Sequence, residues 1–177
     1  MIDQTQRSQK SSPLILVVEG DSDDRLMIQG TLNQEGYRVE TVDSRAEMLE
    51  AHQRLSPDLV LLDVNFQQGQ GVELCERLRG ISDDARTSIV LIIEQDDEKT
   101  VRRVFEAGAD DWLVKPIQPT VLRHRVKVLL QANRAHDVLQ ETELRFRSLF
   151  EHSQDAVYLL YKNTFEYINP AFQELFG

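Results

Sequence analysis

A chain of 177 residues with a formal net charge of −10 has room for one core of about 100–150 residues and an appendage. The acidic balance argues against direct nucleic-acid binding, which relies on basic patches, and a single cysteine, Cys75, excludes an internal disulfide and fits a reducing, cytoplasmic setting. No apolar run approaches the ~20 residues that a membrane span requires.

Residues 1–12 are polar, lack the apolar segment of a signal peptide and are expected to form a disordered tail. Leu14–Val18 is short, apolar and branched, as a buried strand is, and Glu19 and Asp21 follow it. Ser22 is the expected cap of a helix running to Gln34, with Asp23 and Asp24 in its favourable first turn. Gly36 suits the left-handed position after that helix, and Tyr37–Val42 reads as a second strand. Ser44-Arg45-Ala46-Glu47 has capping-box spacing and opens a helix to about Leu55. Pro57 then resets the chain for the strand Leu59–Leu62, which ends in Asp63. Gly69 and Gly71 allow a tight loop before a helix from about Val72 to Arg79. Ile89–Ile93 is the fourth strand; Asp96, Asp97 and Glu98 favour a helix to about Ala107, and Gly108 ends it. Asp111–Val114 is a short fifth strand that leads into Lys115-Pro116.

Strands alternating with helices predict an α/β fold, a doubly wound five-stranded parallel sheet covered on both faces. Ligands of such sheets sit outside the carboxyl ends of the strands, at a switch in strand order. Glu19, Asp63 and Lys115 fall at those ends, so carboxylates are expected to face a lysine in one pocket suited to a divalent cation and a phosphoryl group.

From Pro119 to about Phe150 there is no Gly or further Pro. This predicts one extended helix whose first turns cover the sheet. Val128, Ala132, Ala135, Leu139, Thr142, Phe146 and Leu149 then step by four and three, a heptad seam that is imperfect at Thr142. Past Leu130 such a helix has no sheet left to cover, and a parallel two-stranded coiled coil, hence a homodimer, is the expected partner. Ser153 to Gly177 holds a strand-like Ala156–Tyr161 and a short helix after Asn169-Pro170, too little for a core of its own.

The runs LILVVEGDSDDR, PDLVLLDV and EAGADDWLVKP, in this order, resemble the receiver domain of two-component response regulators, which is flavodoxin-like. The resemblance covers residues 13–133. Thirty positions separate Asp63 from Ile93 and twenty-two separate Ile93 from Lys115, similar to the family's spacing of phosphoacceptor, hydroxyl and lysine. The resemblance implies Asp63 as phosphoacceptor, Lys115 as the phosphoryl contact, and Mg²⁺ held by Glu19, Asp63 and the Asn65 backbone carbonyl. It also implies a cis Lys115-Pro116 bond, a histidine kinase or phosphotransfer protein as partner, and a signalling module rather than an enzyme.

Four departures qualify this. Gly20 stands where the family has a second acidic metal ligand, and alternation points the neighbouring Asp21 elsewhere, so Mg²⁺ binding is expected to be weak or absent. Ile93 replaces the Thr or Ser that binds the incoming phosphoryl group. Trp112 occupies the aromatic switch position, where Tyr or Phe is usual, and Gln67 replaces a proline. A degenerate receiver is therefore expected, accepting or mimicking phosphorylation at Asp63; the alternative is a phosphorylation-independent pseudo-receiver serving as a dimerisation scaffold. Cys75 reads as an inert half-buried thiol, and His52, His124, His136 and His152 have no metal-ligand spacing.

The stretch RFRSLFEHSQDAV and the later YINPAFQELFG resemble the start of a PAS sensor domain. Residues 119–150 then read as the helical linker and 151–177 as a PAS beginning cut off at Gly177. The run from Pro116 to Gln140 is similar to linkers that lead into PAS and diguanylate cyclase or phosphodiesterase modules, an analogy at fold level.

Overall fold

The computed structural model describes residues 12–81, 87–162 and 164–176. The expected tail at residues 1–12 lies, but for Ser12, outside them. Contacts divide the chain into two compact units, one ending at Asn133 and one beginning at Arg134.

The first unit contains strands β1 (Leu14–Val18), β2 (Arg38–Val42), β3 (Leu59–Asp63), β4 (Ser88–Ile93) and β5 (Asp111–Val114). They form one parallel sheet in the order β2-β1-β3-β4-β5, so the switch in strand order lies between β1 and β3. Every residue of β1, β3 and β4 is buried, as expected of a parallel sheet with both faces covered.

Alternation along each strand sorts the core into two layers. Leu16, Val18, Val60, Leu62, Leu91 and Ile93 pack with Met48 of α2 (Arg45–Leu55), Leu74 and Leu78 of α4 (Gly71–Ile81), and Val104 of α5 (Glu98–Glu106). Ile15, Val17, Leu59, Leu61, Val90 and Ile92 pack with Ile28 and Leu32 of α1 (Ser22–Gln34), and with Leu122, Val126 and Leu130 of α6 (Pro119–Glu151). The three buried positions of α6 step by four, and none follows Leu130.

Local chemistry explains the element ends. Asp21, not Ser22, caps α1: its carboxylate accepts from the N–H groups of Asp23 and Asp24. Ser44 caps α2 by accepting from Glu47 N–H, as the spacing predicts. Gly36 and Gly108 take φ of 82° and 85°, the left-handed region. The loop after β3 contains a single irregular turn, α3 (Phe66–Gly69), with Gln67 and Gln68 at φ 46° and 67°.

The second unit pairs β6 (Tyr158–Tyr161) with β7 (Thr164–Ile168) in an antiparallel ribbon, followed by α7 (Pro170–Phe176). The strand-like reading of Ala156–Tyr161 narrows to Tyr158–Tyr161, and β7 is an additional strand. Asn169 is its one fully buried polar residue among those described. It accepts from Val157 N–H at 2.8 Å and Phe172 N–H at 2.9 Å, and its amide donates to the Asp155 carbonyl at 2.9 Å. Tyr158, Phe165 and Phe172 meet ring to ring, with centroids 5.4 to 5.5 Å apart. No helix among the described residues is long and apolar enough to cross a membrane.

Candidate phosphoryl-acceptor site

The carboxyl ends of β1, β3 and β5 deliver Glu19, Asp63 and Lys115 to one point. The Lys115 backbone N–H donates to the Ile93 carbonyl at 2.8 Å, continuing the ladder one residue past β5 and fixing where the lysine leaves the sheet. The Lys115-Pro116 bond is cis. The Lys115 ammonium then stands 2.9 Å from Asp63 Oδ2, 3.0 Å from Asp24 Oδ2 and 3.1 Å from Glu19 Oε2. The ammonium donates to Asp63 Oδ2 and to Glu19 Oε1, and Asp24 adds a third carboxylate as an ion pair.

Asp63 is held on its other side as well: its Oδ1 accepts from Asn65 N–H at 2.8 Å. Gly71 presses on the same backbone, since a Cβ there would stand 2.1 Å from the Asp63 carbonyl oxygen; only glycine lets α4 start so close to the acidic strand end. The Asn65 side-chain amide reaches across to Glu94 Oε1 at 3.0 Å, tying the loop after β3 to the loop after β4.

Glu19 is fully buried. Its Oε1 accepts from Asp21 N–H at 3.0 Å and from Lys115 at 3.2 Å. Oε2 lies close to the ammonium but has no hydrogen-bond partner with proper geometry. Burial, reinforced by the neighbouring Asp63 carboxylate and partly offset by the Asp21 N–H, pushes Glu19 up to about 7. For Lys115, burial alone acts downward, but Asp63, Asp24 and Glu19 outweigh it and hold the ammonium above its ordinary range. The N–H groups of Asp24 and Asp23 keep the Asp21 carboxyl below its usual value.

Glu19 and Asp63 are the carboxylates that the strand ends bring together, and position 20 adds none. Among the described residues no three carboxylate, histidine or cysteine side chains group as metal ligands. Gly20 offers no side chain, and the space around its Cβ position is open to 4 Å. Asp21 is committed to the α1 N-terminus. The point on which Glu19 and Asp63 converge is taken by the Lys115 ammonium.

The remaining sequence-predicted positions lie on β4, β5 and α4. Ile93 is completely buried at the end of β4 and offers no hydrogen-bond donor toward the pocket. Trp112 is half-buried, edge-on to Phe105 with ring centroids 5.3 Å apart, and the Arg125 guanidinium lies 5.6 Å over its ring. Arg125 is itself anchored to Asp111. Cys75 is buried and donates to the Ala107 carbonyl; burial pushes its thiol up to about 11, so it stays protonated. The residue missed by sequence reasoning is Asp24. In the sequence it is a first-turn acid of α1 like Asp23, and only the position of α1 over β1 turns it toward Lys115.

Comparison with known proteins agrees with this geometry. The family model for the response regulator receiver domain matches residues 15–127, and that for a PAS domain matches residues 144–177. The transcriptional regulatory protein AfsQ1 of Streptomyces coelicolor is 34% identical over 119 residues, 67% of this chain and 52% of that protein. The response regulator MprA of Mycobacterium tuberculosis is 33% identical over 135 residues, 76% of this chain and 58% of that protein. The chain thus spans little more than half the length of these relatives. Among solved structures, the receiver domain of the TMAO respiratory response regulator TorR aligns with a TM-score of 0.62 at 34% identity, over 68% of this chain and 98% of that one. The chemotaxis protein CheY4 of Vibrio cholerae aligns with a TM-score of 0.63 at 28% identity, over 67% and 99%. The sheet order, the acidic strand ends and these matches lead to one conclusion: the chain belongs to the response regulator receiver family of two-component systems, and a PAS-like segment follows its receiver.

Proposed function

We propose that this receiver is degenerate: it keeps the nucleophile and the lysine, and accepts a phosphoryl group slowly and with little dependence on Mg²⁺. The observation that carries the reading is the 2.9 Å pair of Asp63 and Lys115 at the strand ends, beside a buried Ile93 where a hydroxyl would be needed. A carboxylate at a strand end can attack phosphorus, and the reaction depends on positioning and charge neutralisation more than on proton chemistry. Asp63 is the acceptor in this reading and Lys115 contacts the phosphoryl oxygens. Mg²⁺, which receivers generally bind, would have Glu19, Asp63 and the Asn65 carbonyl as ligands but nothing from position 20.

The donor is a histidine kinase or phosphotransfer protein, and the setting is cytoplasmic. Residues 13–133 act as the receiver, 119–150 as the linker and 151–177 as the start of the PAS segment. The output passes through pairing of two α6 helices. Leu139, Phe146 and Leu149 of the heptad seam are 67%, 58% and 70% exposed, which supports a second helix as their partner. The chain's acidity supports a non-nucleic-acid role for this portion, although AfsQ1 is named a transcriptional regulator. A diguanylate cyclase or phosphodiesterase is the output that the linker resemblance suggests.

The test is incubation with acetyl phosphate, with and without Mg²⁺, followed by intact-mass measurement. Slow addition of one phosphoryl group, lost in Asp63→Asn and changed little by EDTA, is the expected result; rapid, stoichiometric, Mg²⁺-dependent addition overturns the reading. A second reading, a phosphorylation-independent dimerisation scaffold, is favoured by the full set of carboxylate partners that Lys115 already has. Light scattering separates the two: a dimer unchanged by acetyl phosphate supports the scaffold.

A further inference from the structure

Three carboxylates surround the Lys115 ammonium, and a phosphoryl oxygen arriving at Asp63 competes with them for it. The three are not equivalent. Glu19 has a fully buried side chain and is held by the Asp21 N–H. Asp63 has a side chain only 7% exposed and is held by the Asn65 N–H. Asp24 has a side chain 29% exposed and stands in the first turn of α1, outside the strand ends. It is the partner that water can replace.

We propose that Asp24 is a competing anion for Lys115, a positioning residue whose ion pair with the ammonium slows phosphorylation of Asp63. This rests on the reading of Asp63 as acceptor and adds the residue that sets its rate. In the step, a bond forms between an Asp63 carboxylate oxygen and phosphorus. The bond from phosphorus to the bridging oxygen of acetyl phosphate breaks, and acetate leaves with the electron pair; no proton is transferred. The incoming group is anionic, so Asp24 opposes it twice, by repulsion and by holding the ammonium.

The experiment compares the full chain with Asp24→Asn, Asp24→Ala and Asp23→Asn. Asp23 is the neighbouring first-turn acid and makes none of the ion pairs at Lys115. With acetyl phosphate, both Asp24 variants should gain the phosphoryl mass about three- to fivefold faster than the parent, the size expected for a partly exposed ion pair. Asp23→Asn should match the parent. A second arm does not depend on covalent transfer: inorganic phosphate is titrated while the Lys115 Nζ resonance is followed. Half-saturation should fall by a similar factor in the Asp24 variants and in Asp24→Asn/Asp63→Asn relative to Asp63→Asn. Equal half-saturation, no response of Lys115 in the Asp24 variants, or an equal gain from Asp23→Asn overturns the proposal. Absence of any mass gain in every variant counts against Asp63 as acceptor and leaves the phosphate arm to decide on Asp24.

Discussion

The two sheets of this chain are built from similar residues and end in opposite states. In the first unit Leu61 and Ile92 have no exposure at all. In the second, Leu160 and Phe165 are 50% and 56% exposed, and every residue of β6 and β7 is exposed. Apolar content alone does not bury a strand; a second layer does. Five strands carry helices on both faces, whereas the β6–β7 ribbon is joined by ring contacts and the Asn169 hub.

The largest test of this contrast is a pair of truncations. Leu61→Ala opens a cavity in a closed core and should cost about 2–5 kcal/mol, while Leu160→Ala should cost under about 1 kcal/mol. Urea unfolding of the receiver measures the first, and comparable losses for both would end the comparison. Next comes the rim of the large sheet. Gly71→Ala pushes a methyl group against the Asp63 carbonyl and should cost about 1–3 kcal/mol, whereas Gly20→Ala meets nothing within 4 Å and should stay within about 0.5 kcal/mol of the parent.

The pocket adds a pH signature. Glu19 titrates near its ordinary 4.5 when unfolded and at about 7 when folded. The folded state therefore holds the extra proton across that window. Stability from this group is fully present below about pH 4.5 and is lost as pH rises through 7, on the order of 3 kcal/mol in Mg²⁺-free buffer. Glu19→Gln should remove that slope in unfolding curves recorded with EDTA, and an unchanged slope refutes the assignment. The smallest effect belongs to the surface: breaking the exposed Arg145–Glu141 pair in α6 by Arg145→Gln should change thermal unfolding by no more than about 0.5 kcal/mol.

Much of the receiver was legible in the sequence because its strands are unbroken apolar runs with charges at one end. Leu14–Val18, Leu59–Leu62 and Ile89–Ile93 need no tertiary information to be read, and strand ends place Glu19, Asp63 and Lys115 together once the sheet is parallel. What stayed hidden depends on contacts between elements. Asp21 and Ser22 are both good caps, and only the backbone geometry chose Asp21. Asp24 is indistinguishable from Asp23 until α1 is laid on the sheet. The need for glycine at position 71 comes from a close approach to Asp63, eight residues earlier in the chain. β7 reads Thr-Phe-Glu-Tyr-Ile, an alternation that is plain in retrospect but has no buried face to confirm it.

The indole of Trp112 is the only one in the chain and lies on β5, three residues before Lys115. Its ring touches Phe105 and sits under the Arg125 guanidinium, so it spans α5, β5 and α6. The protein therefore carries its own optical reporter. Any shift of α5 or α6 against the fifth strand should alter the emission of a single fluorophore, with no label added.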